Sequence, residues 1–229
     1  MIRIPVILVC LAAILPALAS PALFYPAAWS QAVVFRFIVS LFLIFSVFII
    51  PQRKKEILEK LRGASSVLLP LGAFVCVLSL ALVFSKDTYM SFWNLPLRGW
   101  GLVNYFTLVL FALLAFLLLR KEDWKWVWVS ALGAGTYITL VALAQQQGLL
   151  AGILVEYAAR PPGTLGSPIF LGIYLLLVCL LALSFAVSKH GKLRIALFGL
   201  ALFFSVGILM TLSRAAFAGL GAGLLFFLA

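Results

Sequence analysis

Pro168-Ile169-Phe170-Leu171-Gly172-Ile173-Tyr174-Leu175-Leu176-Leu177-Val178-Cys179-Leu180-Leu181-Ala182-Leu183-Ser184-Phe185-Ala186-Val187 carries nothing more polar than a tyrosine and a serine. A helix over this run rises about 30 Å, the thickness of a bilayer's hydrocarbon core. Comparable apolar runs occupy residues 4–22, 31–50, 65–85, 102–119, 126–145, 195–211 and 214–229. The pattern predicts an all-α fold, a polytopic membrane helix bundle with about eight transmembrane spans, in which residues 1–229 form a single transmembrane domain. Composition agrees. With 66% hydrophobic and 10% charged residues, a soluble domain of this size has too few polar side chains to cover its surface, so the bilayer is the solvent.

The net charge of +11 does not point to nucleic acid, because the basic residues gather in short connections between apolar runs. Placing the N-terminus in the cytoplasm puts Arg3, Arg53, Lys54, Lys55, Lys60, Arg62, Arg120, Lys121, Lys125, Lys189, Lys192 and Arg194 inside, twelve of the seventeen Lys and Arg. Lipid bilayers favour that asymmetry, and a multi-pass protein of the cytoplasmic (inner) membrane with its N-terminus inside is expected. The five remaining cations, Arg36, Lys86, Arg98, Arg160 and Arg214, face only two outer carboxylates, Asp87 and Glu156. At least three of them therefore lack an acidic side-chain partner.

Several features have ordinary explanations. Cys10, Cys76 and Cys179 lie inside apolar runs without metal-ligand spacing and read as small core residues. Trp124, Trp126 and Trp128 sit where a run begins and form an interfacial aromatic belt. The segment 52–63, with Glu56 and Glu59 among its bases, reads as a short helix on the inner leaflet. Gly219, Gly221 and Gly223 follow no strand and read as a close-packing helix face. His190 belongs to an inner loop, and no metal or hydrolase motif occurs. The first run also has the form of a secretory signal, with Ala17-Leu18-Ala19 as its cleavage region.

Three outer segments depart from the apolar pattern. Residues 86–101 mix Trp93, Trp100, Pro96 and Arg98, which suits either an interfacial loop or a platform for a sugar or lipid headgroup. Arg160-Pro161-Pro162-Gly163-Thr164-Leu165-Gly166-Ser167-Pro168 leads straight into a span, with Ser167 placed to cap it and Pro168 suited to its first turn. The positive end of that helix beside an arginine and a glycine turn suits either an anion site, with Gln145, Gln146, Gln147, Glu156 and Tyr157 as candidate partners for sugar hydroxyls, or ordinary loop punctuation before a helix. Thr211-Leu212-Ser213-Arg214 is so short that the last two spans must form a tight hairpin. Arg214 then occupies the first turn of a helix whose dipole repels it, at a cost of about 0.3–1 kcal/mol, so an anion is expected to compensate. Arg36, a turn inside its span, reads as a structural pair or a side chain reaching for headgroups.

The segment from Arg160 to Pro168 resembles the Arg-x-x-Gly-Thr-x-Gly-Asn-Pro segment of the bacterial O-antigen ligase and Wzy-type O-antigen polymerase superfamily, with Ser167 in place of Asn. Thr211-Leu212-Ser213-Arg214-Ala215-Ala216 is similar to that family's Thr-x-Ser-Arg-Gly-Ala, with Ala215 in place of Gly. The match around Arg98 is weaker. The resemblance implies a metal-independent membrane glycosyltransferase needing no cofactor, which moves a polyprenyl-pyrophosphate-linked glycan to a glycan or lipid acceptor at the outer face. Arg160, Arg214, Arg98, Gly163, Thr164, Gly166 and Ser213 are the expected substrate-binding residues. The family's histidine lies on a large outer loop further along the chain, so residues 1–229 are expected to be an N-terminal portion with no catalytic residue of their own and little turnover alone. A lipid-linked glycan flippase, or a membrane scaffold, is the alternative. A conduit would carry ionisable groups at mid-membrane depth, where this sequence has only scattered Ser, Thr and Tyr.

Overall fold

The computed structural model describes residues 4–18, 26–93, 101–150 and 160–228. Among them every regular element is helical: α1 Ile4–Ile14, α2 Pro26–Gln52, α3 Lys54–Gly63, α4 Ser65–Val83, α5 Thr88–Trp93, α6 Leu102–Leu118, α7 Trp124–Gln146, α8 Pro168–Ser188, α9 Gly191–Met210 and α10 Arg214–Leu228. Five helices are long and apolar enough to cross a membrane, within α2, α4, α7, α8 and α9. Three shorter apolar helices, at α1, α6 and α10, occupy the other predicted runs. The protein is an all-α membrane helical bundle. Its apolar runs became helices because a bilayer offers no partner for a bare N–H or C=O, and a helix satisfies each within the segment.

The first run is shorter than its hydropathy suggested. Pro16 stands in a 3-10 turn, Leu15–Ala17, directly after α1. Proline cannot continue the backbone ladder, which ends the helix there.

The chain groups into two compact units, residues 1–12 with 31–127 and residues 13–30 with 128–229. In the first, Phe111 of α6 receives Phe35 and Phe42 of α2 edge to face, at centroid separations of 5.2 and 6.0 Å. The expected short charged helix is α3, and it does more than lie on a surface. Its Lys60 Nζ donates to the carbonyls of Leu117 and Leu119 at 3.2 and 2.9 Å, and Arg53 Nη1 donates to Leu118 O at 2.7 Å. Two cations thus satisfy the orphan carbonyls at the negative end of α6. Glu56 holds Arg53, accepting from Nε at 2.9 Å, and lies 3.8 Å from Lys60 Nζ.

This joint titrates. Arg53, chiefly through its hydrogen bonds and against the opposing effect of burial, holds the Glu56 carboxyl below its ordinary 4.5. Its stabilisation is therefore whole above that value and fades as the pH falls through the lower folded value. Thermal unfolding in detergent between about pH 6 and pH 3 should show a decline that Glu56→Gln lacks. The decline is small because Glu56 is partly exposed and solvent screens it.

In the second unit α8 packs along α9, and both meet α10. The core comprises Ile138 and Ala142 of α7, Leu171, Leu175, Val178, Cys179 and Ala182 of α8, Ala201, Phe204 and Ile208 of α9, and Ala216 of α10. Small residues set the spacing. A Cβ at Gly207 would stand 2.7 Å from Leu175 and 3.0 Å from Thr139, and one at Gly135 would stand 2.9 Å from Val178. Where lipid tails are as apolar as leucine, helices associate through such close packing.

Candidate functional site

The register of α8 against α10 positions the candidate site. A Cβ at Gly172 would stand 3.0 Å from both Ala216 Cβ and Thr211 Oγ1 and 3.3 Å from Ser213 Cβ. Further along, Gly219 abuts Leu176 and Gly223 abuts Leu180. The partners advance together, by four residues at each step on α8 and by three and then four on α10, so the two helices run parallel and begin at one end. The glycine-rich stretch is the close-packing face the sequence indicated, carried by Gly219 and Gly223; Gly221 faces open space. Two positive helix ends therefore lie side by side, one introduced by the segment that carries Arg160 and the other opened by Arg214 itself.

The turn before α8 is held on three sides. Gly163–Leu165 is a 3-10 turn bounded by left-handed backbone at Gly163, φ +60°, and Gly166, φ +72°. The Gly163 N–H donates to Gln145 Oε1 at 2.8 Å, and a Cβ at Gly163 would press Leu171 Cδ1 at 3.1 Å. Thr164 is buried, and its hydroxyl donates to Pro16 O at 2.6 Å. The polar groups of Gly163 and Thr164 are thus engaged within the chain, and these residues shape the turn. Gln145, expected to meet a sugar, is the side chain that fixes it. Ser167 occupies the N-cap position with extended backbone, φ −152° and ψ 131°, but its hydroxyl makes no capping bond. Its carbonyl accepts the Leu171 N–H at 3.0 Å, and Pro168 opens the helix as expected.

The second turn is as tight as its length required. Thr211 is fully buried; its Oγ1 donates to Ile208 O at 2.7 Å and accepts the Ser213 N–H at 3.3 Å. Ser213 Oγ receives the Ala216 N–H at 3.5 Å, a long capping contact. Leu212, between them, takes φ +50°, a left-handed conformation that costs a branched residue about 1–2 kcal/mol.

Arg160 and Arg214 remain exposed at this end. Among the described residues neither forms an ion pair, and the described part of the second unit contains no carboxylate at all. Nor does any group of three or more His, Cys, Asp or Glu come together among the described residues to hold a metal ion. Arg214 opens α10 and Arg160 precedes the turn that leads into α8, and arginines and helix N-termini are both groups that can bind an anion. Arg98, Glu156 and Tyr157 lie outside the described residues. Trp93 stacks edge to face on Phe92 at 4.9 Å and is 47% exposed. Arg36 is half-buried within α2.

Sequence reasoning missed Gly172 as the point where α8 meets the Thr211–Ala216 motif. Its signal was a glycine inside an otherwise bulky apolar run, which in a membrane helix marks a close crossing. The fold is a membrane helical bundle in which α8 and α10 begin at one end, where Arg214 and Arg160 are exposed. No protein-family model, curated protein or solved structure matches the chain.

Proposed function

We propose that this chain holds the pyrophosphate of a polyprenyl-linked glycan for a glycosyl transfer of the O-antigen ligase or polymerase type. Its setting is the cytoplasmic membrane, with several crossings, the N-terminus inside and Arg160 and Arg214 at the outer face. The observation that carries the reading is the parallel register of α8 and α10, which gives the two arginine-bearing segments one end of the bundle. Guanidinium groups pair with phosphate oxygens in charge-assisted, often bidentate bonds. As the bond between sugar and diphosphate breaks, negative charge grows on the departing oxygen, and fixed cations and helix ends aimed at it lower the barrier. The acceptor hydroxyl attacks the anomeric carbon from the opposite side and gives up its proton.

The test is binding and transfer with a polyprenyl-pyrophosphate oligosaccharide on the membrane-reconstituted protein. Arg160→Ala and Arg214→Ala should each weaken binding by at least about tenfold, with Arg214→Lys intermediate because lysine keeps the charge and loses the planar fork. With acceptor present, product length separates polymerisation from ligation. Wild-type affinity in both alanine variants would sink the reading, and movement of the lipid across the bilayer without transfer would replace it with a transporter.

A further inference from the structure

In the first unit α3 joins two helices that are long and apolar enough to cross a membrane, α2 and α4, and only Arg53 and Ala64 separate it from them. Its ten residues rise about 15 Å, and a helix tethered this closely at both ends stays where the apolar helices leave the hydrocarbon. One face is already occupied. Ile57 is buried, and Arg53, Glu56 and Lys60 make the clamp on the end of α6. The other face is centred on Leu58, which is 43% exposed. Lys54 and Lys55 stand four and three residues before it and Arg62 four after, so the three cations surround it on one side of the helix. All three are exposed, and among the described residues none forms an ion pair. Of the two α3 carboxylates, Glu56 is held by Arg53, and Glu59 stands exposed at the edge of this face.

We infer that this face binds the headgroups of anionic phospholipids. The charge is complementary: a headgroup of net negative charge meets three cations against one carboxylate, whereas a zwitterionic headgroup brings an ammonium that these cations repel. The depth is complementary too. Leu58 reaches the boundary of the acyl chains, while the longer Lys and Arg stems beside it carry their charges outward to the phosphates. Lipid is the partner because α2 and α4 bring it to both ends of the helix, and a soluble acidic protein would have to displace it. Thus α3 grips α6 with one face and the leaflet with the other.

The experiment uses the full chain reconstituted in phosphatidylcholine vesicles that hold a small fraction of one of two photoreactive lipids, a phosphatidylglycerol or a phosphatidylcholine, each with the same diazirine beside its ester linkages. After irradiation residues 54–62 should carry at least about fivefold more of the anionic probe than of the zwitterionic one (about 1 kcal/mol). Lys54→Gln, Lys55→Gln and Arg62→Gln together should abolish that preference, and Glu59→Gln should raise it. The same change at Lys189, Lys192 and Arg194, exposed around the start of α9, should leave it as it was. Salt tests the wild-type protein without any variant: going from about 0.01 to 1 M shortens the Debye length from about 30 to 3 Å and should shrink the preference. Equal labelling by the two probes, a preference that the triple variant keeps, or one that salt leaves untouched overturns the inference. So does competition by millimolar inorganic phosphate at constant ionic strength, which would make this a site for a free anion, or by a soluble acidic peptide, which would make it a protein-binding face.

Discussion

Replacing Gly172 with leucine is expected to cost the second unit about 3 kcal/mol and to remove diphosphate binding with it. The position has no slack. A first added carbon already stands 3.0 Å from Ala216 Cβ and Thr211 Oγ1, and these neighbours are a short side chain on a helix and a fully buried hydroxyl bonded to Ile208. Three further carbons must push the start of α10 away from α8, separating the turn that carries Arg214 from the segment that carries Arg160. Thermal unfolding in detergent reads the first loss, and titration with a polyprenyl diphosphate reads the second. Gly199→Ala is the comparison: it lies within α9 with nothing inside 4 Å, and alanine's better helix propensity makes it neutral or slightly stabilising. Wild-type melting and binding in Gly172→Leu would mean that α8 and α10 do not cross at Gly172 as described.

Gly163→Val should lose about 2–5 kcal/mol from two separate causes. Left-handed backbone, φ +60° here, costs a side-chain-bearing residue about 1–2 kcal/mol and a β-branched one at the upper end. The new side chain also meets Leu171 Cδ1 at 3.1 Å, an overpacking cost of about 1–3 kcal/mol. Gly148→Val isolates the first cause, since Gly148 has φ +73° and no neighbour within 4 Å. The difference between the two melting shifts is the packing contribution. Only Gly163→Val should also weaken diphosphate binding, because displacing residue 163 from Leu171 pulls its N–H away from Gln145 Oε1. Equal losses from the two variants would show that the turn is not packed on α8.

Apolar runs and their punctuation made the helices legible, because in lipid the backbone must be satisfied locally whatever the neighbours are. The runs 102–119 and 168–187 end within a residue of α6 and α8. The Thr211–Ser213 hairpin followed from chain length alone. Pro16 was a readable stop signal for α1. The short helix α5 was not anticipated within the segment 86–101, although Asp87 supplied a capping signal: its Oδ1 accepts the Met90 N–H at 2.9 Å.

The site was legible only in part. Arg160 and Arg214 stood out because unpaired cations are costly near hydrocarbon. What holds them was hidden, for it depends on contacts between distant positions: Thr164 with Pro16, Gly163 with Gln145, and Gly172 with Thr211, Ser213 and Ala216. No local pattern specifies such pairs. Gly163 gives its N–H to Gln145 and Thr164 its hydroxyl to Pro16 O, so these residues shape the turn, and Gly172 sets the crossing.

The clamp at the end of α6 bears on the membrane itself. With 17 residues the helix rises about 25 Å, short of a hydrocarbon core of about 30 Å. Its last carbonyls are gripped by Lys60 and Arg53, whose charges belong at headgroup depth, so that end cannot sink to share the shortfall. A bilayer crossed by α6 would have to thin around it, at a mismatch cost of fractions of a kcal/mol per ångström.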